Sequence, residues 1–427
     1  NDGTARDLPP PMFGPPSPIE FTIGDIQDDS SNADLVVRSG PNPNNDPTVL
    51  TITQDAQLNG SVNVFNNDGD NASVDVNADT FDIGGNLDIT NSDTDTPTDV
   101  VVRADSDIEV TGNTTVTAGN AAGANALLAI VGTSTLPSGV TLDDGTLGRA
   151  SLAFEGTSGQ TLDFNVEGDT DGEGSLIIRN SAGVTIDTAV GLGFGNELRD
   201  MTLEFGGDVT ANAAVDATEI NIGAGSELEA NATIGGDVNF TGNGTFALGD
   251  DESFNNAVDN LTGSDGAGTL TSASGGLSIS SVSGPVGATH SLSAITLFND
   301  GRFRFDSTVN ADTIRAEADG GELNFDDDVT GNIELDGDVI VDLGEGGIQV
   351  DGAIDNVSGM DGVGTIEMGV TAGNTITGNI GASHSLSTID LSLNGTDTFG
   401  GTVNADNIDF TSITTAHFSE IGRASCR

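Results

Sequence analysis

Gly287-Ala288-Thr289-His290-Ser291-Leu292-Ser293-Ala294-Ile295 returns 94 residues later as Gly381-Ala382-Ser383-His384-Ser385-Leu386-Ser387-Thr388-Ile389. Neighbouring blocks return with it. Asp259-Asn260-Leu261-Thr262-Gly263 and Asp265-Gly266-Ala267-Gly268-Thr269-Leu270 reappear as Asp355-Asn356-Val357-Ser358-Gly359 and Asp361-Gly362-Val363-Gly364-Thr365-Ile366 at an offset of 96. Val309-Asn310-Ala311-Asp312-Thr313-Ile314 reappears as Val403-Asn404-Ala405-Asp406-Asn407-Ile408 at an offset of 94. Self-similarity at a fixed period marks a repeat architecture, and the two-residue change in offset is a small loop indel at a solenoid corner. The close copies lie near 259–314 and 355–408, with relatives at Val76-Asn77-Ala78-Asp79-Thr80 and Val215-Asp216-Ala217-Thr218.

Within a copy, Ile389, Leu391 and Leu393 alternate with Asp390 and Ser392, placing one side inward and the other in water. Short alternations of this kind recur along the chain, and no stretch holds a helical apolar period for three turns. Frequent Gly and Asn supply the left-handed conformations that sharp corners need. Nine of the 12 prolines fall within the first 47 residues. Proline removes a ladder donor, so the boundary it draws separates a Pro-rich linker or cap approach over 1–47 from an all-β body over 48–419. Stacked in parallel, such strands bury a narrow apolar column and pair their amides with the coil above or below, as a β-solenoid does. With about 20 residues per coil and about 4.8 Å between strands, the expected body is elongated, on the order of 90 Å, and each repeat copy holds several coils.

Composition limits the chemistry. Against 67 acidic residues the 427-residue chain has 11 basic ones, all Arg, for a formal charge of -56, and it has no Trp, Tyr or Lys. A protein that neutralises phosphates needs a basic stripe, so the charge argues against nucleic acid and anionic membranes as partners. Sugar clefts use flat Trp or Tyr platforms and cations for uronates, so the composition also argues against a β-helical polysaccharide-active enzyme. The expectation is no enzymatic activity and no cofactor.

Gly378-Asn379-Ile380-Gly381-Ala382-Ser383-His384-Ser385-Leu386-Ser387-Thr388-Ile389, followed by Thr398-Phe399-Gly400-Gly401-Thr402-Val403-Asn404-Ala405-Asp406, resembles the repeats of bacterial autotransporter passenger regions, including rickettsial surface antigens. Val329-Thr330-Gly331-Asn332-Ile333 is similar to another segment of those repeats. The resemblance covers roughly 208–410. It implies a right-handed parallel β-helix, export through the outer membrane, an adhesive or surface-coat role, and a translocator barrel beyond Arg427.

Several residue groups have the chemistry of a site. His290 and His384 stand beside Ser291 and Ser385 at equivalent repeat positions, which favours a structural role because a catalytic group has no reason to recur in every copy. Glu167, Asp169, Asp171 and Gly172 match the opening of a calcium loop, but its twelfth place is Ile178 instead of a bidentate Glu. Asn66, Asp68 and Asp70 begin a similar pattern that ends on Asn77. Asp326-Asp327-Asp328 reads as a solvated corner. Asn-x-Ser/Thr triplets at Asn71, Asn113, Asn231, Asn243, Asn260, Asn356 and Asn394 are expected by chance in an Asn- and Thr-rich chain, though they would matter in a halophilic archaeon. Asn310, Asp312, Asn404 and Asp406 are expected to project from corners and contact other surfaces, whether of cells, minerals or polysaccharides.

The resulting expectation is an extracellular, cell-surface adhesin or coat fragment associated with an outer membrane. The alternative is a surface-layer or calcium-dependent coat protein of a salt-loving organism, since an acidic surface stays soluble where salt screens repulsion. The chain opens on Asn1, and residues 420–427 read as a sequencing-adapter translation, so both ends are taken as cut and Cys426 as foreign.

Overall fold

A computed structural model describes residues 19–23, 26–27, 34–39, 48–66, 71–94, 97–192, 195–272, 279–298, 300–317, 319–344, 346–369, 373–391, 395–411 and 415–423. Every regular element among them is a β-strand, and the strands stack in parallel as a β-solenoid. The chain divides into two units, Asn1–Leu152 and Ala153–Arg427.

In the first unit each coil contributes one strand to each of three stacks. Ile19–Ile23, Thr48–Ile52, Ala72–Val76, Asp99–Ala104 and Asn125–Ile130 form the first. Ile26–Gln27, Ala56–Leu58, Thr80–Ile83, Asp107–Val110 and Ser134–Thr135 form the second. The third runs from Leu35–Ser39 through Val62–Asn66, Leu87–Asn91 and Thr114–Thr117 to Val140–Asp143. Period-two alternation decides which side chains enter the column: Leu50, Val74, Val102 and Leu128 lie in register and are all buried. Each such side chain contributes about 1.5–3 kcal/mol on leaving water.

Strand pairing begins earlier than the proline boundary at residue 48. Ile19–Ile23 and Leu35–Ser39 both pair into the stacks. The physical reason is local: the prolines cluster at 9–18 and 41–47, leaving 19–40 free of proline and able to donate every ladder hydrogen bond. At the other end, Thr415–Arg423 pairs with Thr396–Phe410, so pairing runs into the first residues of the 420–427 segment.

Coils of the second unit are often shorter. Asn231 hydrogen-bonds Asn212 across a separation of 19 residues, whereas Asn125 reaches Asp99 across 26 in the first unit. The saving comes from fusing two strands into one bent strand. Val309–Ala316 shifts register between Asn310 and Thr313, and Val215–Ile222 does so between Asp216 and Glu219. Gly331 (φ 136°) and Gly236 (φ 89°) sit opposite these shifts, where a Cβ would lie 1.9 Å from the Ala311 carbonyl oxygen and 1.7 Å from that of Ala217. Several Phe side chains fill the column, among them Phe303, Phe305 and Phe325; the Phe305 and Phe325 rings stack at 5.4 Å and 11°.

The registers show how a repeat copy maps onto coils. Val258 pairs with Val286, Val286 with Val309, Val309 with Val329 and Val329 with Val350, four steps along one stack. The repeat equivalent of Val258 is Ile354, which belongs instead to the stack of Leu270, Ile295, Ile314 and Ile333. Leu270's equivalent, Ile366, lies in a further stack of the second unit, with Phe303, Leu323 and Val341. One copy therefore spans four coils and one further side, so the second copy is laid one sheet farther round the coil.

Candidate functional site

Both copies build the same cluster at a long corner. In the first copy the buried Asn260 donates through Nδ2 to the carbonyls of Ser264 (2.9 Å) and Ser291 (2.8 Å), while its Oδ1 accepts from the Thr262 amide (3.0 Å) and hydroxyl (2.7 Å). Asn356 repeats this with the carbonyls of Met360 and Ser385 (both 2.8 Å) and with the Ser358 amide (3.0 Å) and hydroxyl (2.7 Å). An amide satisfied at all four positions without water can be buried at little cost. At Asn260 and Asn356 the Asn-x-Thr/Ser pattern is thus a corner lock, in which the hydroxyl two residues on binds the amide oxygen.

His290 and Ser291 follow at the next coil. His290 Nδ1 lies 3.4 Å from Asp265 Oδ1, and Ser291 Oγ donates to Asp312 Oδ1 at 2.7 Å. The second copy places His384 Nδ1 3.4 Å from Asp361 Oδ1, and Ser385 Oγ donates to Asp406 Oδ1 at 3.0 Å. A serine activated as a nucleophile gives its proton to a base such as histidine. Here each serine proton is committed to an aspartate one coil away, and the cluster serves as a tie between coils.

A second feature lies on the outer side of the second unit's Phe303, Leu323, Val341 and Ile366 stack. Arg304, Asn324, Asp342, Glu367, Asp390 and Asp409 stand in one register line on successive coils, alternating with inward Val341, Ile366, Ile389 and Ile408. Four carboxylates therefore follow one another at strand spacing, about 4.8 Å. Partial burial, then the charge of Glu322, holds the Asp342 carboxyl above the usual aspartate range, and Arg302 partly offsets this. Glu367 is raised by partial burial first, and then by Asp342 and Asp390. At the other end of the line arginine meets acid: Arg304 Nη2 is 2.6 Å from Asp326 Oδ2, and Arg302 bonds Glu322. The side chain of Arg315 forms a further knot with Asp336, Glu317 and Glu334, and its bond to Asp336 raises its pKa.

The residues singled out from sequence are dispersed. Half-buried Glu167 accepts from Asn196 Nδ2 at 3.0 Å, Asp171 accepts from the Glu197 amide at 3.4 Å, and Asp169 is exposed. Asp68 and Asp70 lie outside the described residues. Among the described residues no three His, Cys, Asp or Glu side chains converge at metal-binding distance. Asp326 is paired to Arg304, and Asp328 accepts from the Gln349 amide at 2.8 Å. Asn310 and Asn404 are half-buried and donate to the carbonyls of Gly287 (3.0 Å) and Gly381 (3.1 Å). Asp312 is exposed and Asp406 half-buried, each holding its serine. All four thus fasten one coil to the next.

No family model, curated protein or solved structure matches the chain.

Proposed function

We propose that this chain is a non-enzymatic, extracellular surface protein, an autotransporter-passenger-like adhesin or coat fragment whose working surface is its outward acidic line. The observation that carries the reading is the register line Asp342, Glu367, Asp390 and Asp409. Stacked carboxylates at a fixed spacing meet a periodic counter-charge at many points, so weak contacts add by avidity. Partners of that chemistry are positively charged mineral faces, or cell and polysaccharide surfaces bridged by divalent cations.

The second reading, a cation-dependent coat protein of a salt-loving organism, draws on the same line and on the net charge of -56. Beads coated with the protein test both. The expected result is retention on calcium mineral or polysaccharide above a charge-matched acidic control, lost when Asp342, Glu367, Asp390 and Asp409 become amides. Retention equal to the control on every surface overturns the adhesin reading. Binding to other copies of the chain only when calcium is added favours the coat. Turnover of a glycan by the purified chain overturns both.

A further inference from the structure

The chain has no Lys, and its single Cys426 has no second thiol to pair with. Neither a disulfide nor a lysine isopeptide bond can tie its coils covalently. A hydroxyl and a carboxamide can. Asn66, Asn91, Asp93 and Thr98 meet inside the first unit with 0, 2, 2 and 4% exposure. Asn66 Nδ2 lies 2.8 Å from Thr98 Oγ1, across a separation of 32 residues. The Thr98 hydroxyl faces Asp93 Oδ2 at 3.2 Å and Asn91 Oδ1 at 3.3 Å. Asn66 Oδ1 accepts from the Ser92 amide at 2.8 Å. Asn91 holds the group in place by donating to the carbonyls of Thr98 (2.8 Å) and Asn125 (2.9 Å) and by accepting from the Asp93 amide (3.0 Å).

These are the parts of an acyl transfer: a hydroxyl nucleophile, a carboxylate base beside it, and a carbonyl oxygen held by a backbone amide. We propose that Thr98 Oγ1 and Asn66 Cγ become joined as an intramolecular ester, with release of ammonia. Asp93 takes the hydroxyl proton as Oγ1 attacks Cγ, once the carboxamide has turned about its Cβ–Cγ bond. The Ser92 amide, which holds Oδ1 before the turn, fixes the orientation from which the carboxamide starts. Asp93 then returns the proton to Nδ2, the C–N bond breaks, and ammonia leaves. One C–O bond replaces one C–N bond, Asp93 is regenerated, and no oxidant or reductant is used. Burial keeps out the water that would hydrolyse the ester. The bond would tie the Val62–Asn66 strand to the residue that leads into Asp99–Ala104.

Intact-mass measurement of the whole chain tests this. The expected mass lies about 17 Da below that of the sequence, one ammonia. Thr98→Val, which keeps the shape and removes the nucleophile, should restore the sequence mass, and Thr98→Ser should keep the deficit. Arg38 and Arg103 flank both residues with no basic residue between them, so trypsin leaves them in one peptide. Cleavage at acidic residues should instead release two joined peptides, one holding Asn66 and the other Thr98, a readout that needs no variant to fold. A wild-type mass equal to the sequence mass overturns the proposal. A deficit that persists in Thr98→Val does so too, since it would place the ammonia loss at a succinimide such as Asn59-Gly60 or Asn243-Gly244.

Discussion

Val258 and Ile354 are equivalent residues of two repeat copies, yet they stack in different sheets, Val258 against Val286 and Ile354 against Ile333. The copies keep their internal hydrogen bonds while changing sides. This is possible because the stacks share one inward chemistry: Val, Ile, Leu and Phe fill each column, so a block that fits one sheet fits the next. The consequence is a surface on which the same corner recurs facing more than one direction.

The corner locks give the first prediction. Asn260→Ala and Asn356→Ala each remove a buried, fully bonded amide and take from the Thr262 or Ser358 amide the oxygen it donates to, so each should cost about 1–3 kcal/mol. The two losses should agree, because the geometries do. Urea midpoints measure them, and a loss below about 0.5 kcal/mol at either site would show that the lock contributes nothing.

Much of this fold was legible in the sequence because its signals are local. Alternation at Ile389, Asp390 and Leu391 and the glycine-rich corners announce parallel coils without any knowledge of register. The strands at Ile19–Ile23 and Leu35–Ser39 were hidden by proline density around them, although the prolines fall outside the strands themselves. The acidic line and the corner lock were hidden for other reasons. Asp342, Glu367, Asp390 and Asp409 are separated by irregular intervals, and only the coil registers bring them into line. Asn260 carried a signal that composition masked: an Asn-x-Thr triplet reads as chance until the hydroxyl is seen on the amide oxygen.

Two glycine corners give the second prediction. Gly236→Ala and Gly331→Ala place a Cβ against a backbone carbonyl at positive φ and should each cost about 2 kcal/mol or more. Gly225→Ala is the control: its φ is also positive, at 71°, but no atom lies within 4 Å of the added carbon. It should lose only the conformational cost, about 1–2 kcal/mol. Equal losses at all three positions would mean that the close carbonyl approach adds nothing.

The acidic line predicts a pH-dependent gain. The carboxyl of Glu367 is raised in the folded chain, first by burial and then by Asp342 and Asp390, so its ionised form is penalised on folding. That penalty is full above the folded pKa, fades as pH falls through it, and vanishes below the unfolded value. Glu367→Gln should therefore stabilise the protein at pH 7 by about 0.2–1 kcal/mol, the scale of a cross-strand like-charge contact. The gain should disappear near pH 4, about the unperturbed glutamate pKa. Paired urea titrations at the two pH values decide it, and a gain that is larger at the acid end contradicts the sign.

Salt supplies the last prediction. With 67 acidic residues against 11 arginines, and with Arg302, Arg304 and Arg315 each already held by acids, the arginines are too few to neutralise most of the carboxylates. Screening shortens the reach of that repulsion from about 10 Å at 0.1 M salt to about 3 Å at 1 M, while the buried columns of Val, Ile, Leu and Phe are not weakened. Urea midpoints should therefore rise across a sodium chloride series. Urea is the proper denaturant because guanidinium chloride is itself a salt. The ester bond proposed in the first unit does not enter, since a covalent tie is insensitive to ionic strength. Replacing Asp342, Glu367, Asp390 and Asp409 by amides should raise the midpoint at low salt and flatten the series, because a run of four like charges at strand spacing has then been removed. If the variant and the wild type respond to salt in parallel, the repulsion is spread over the whole surface and the line has no special part in it.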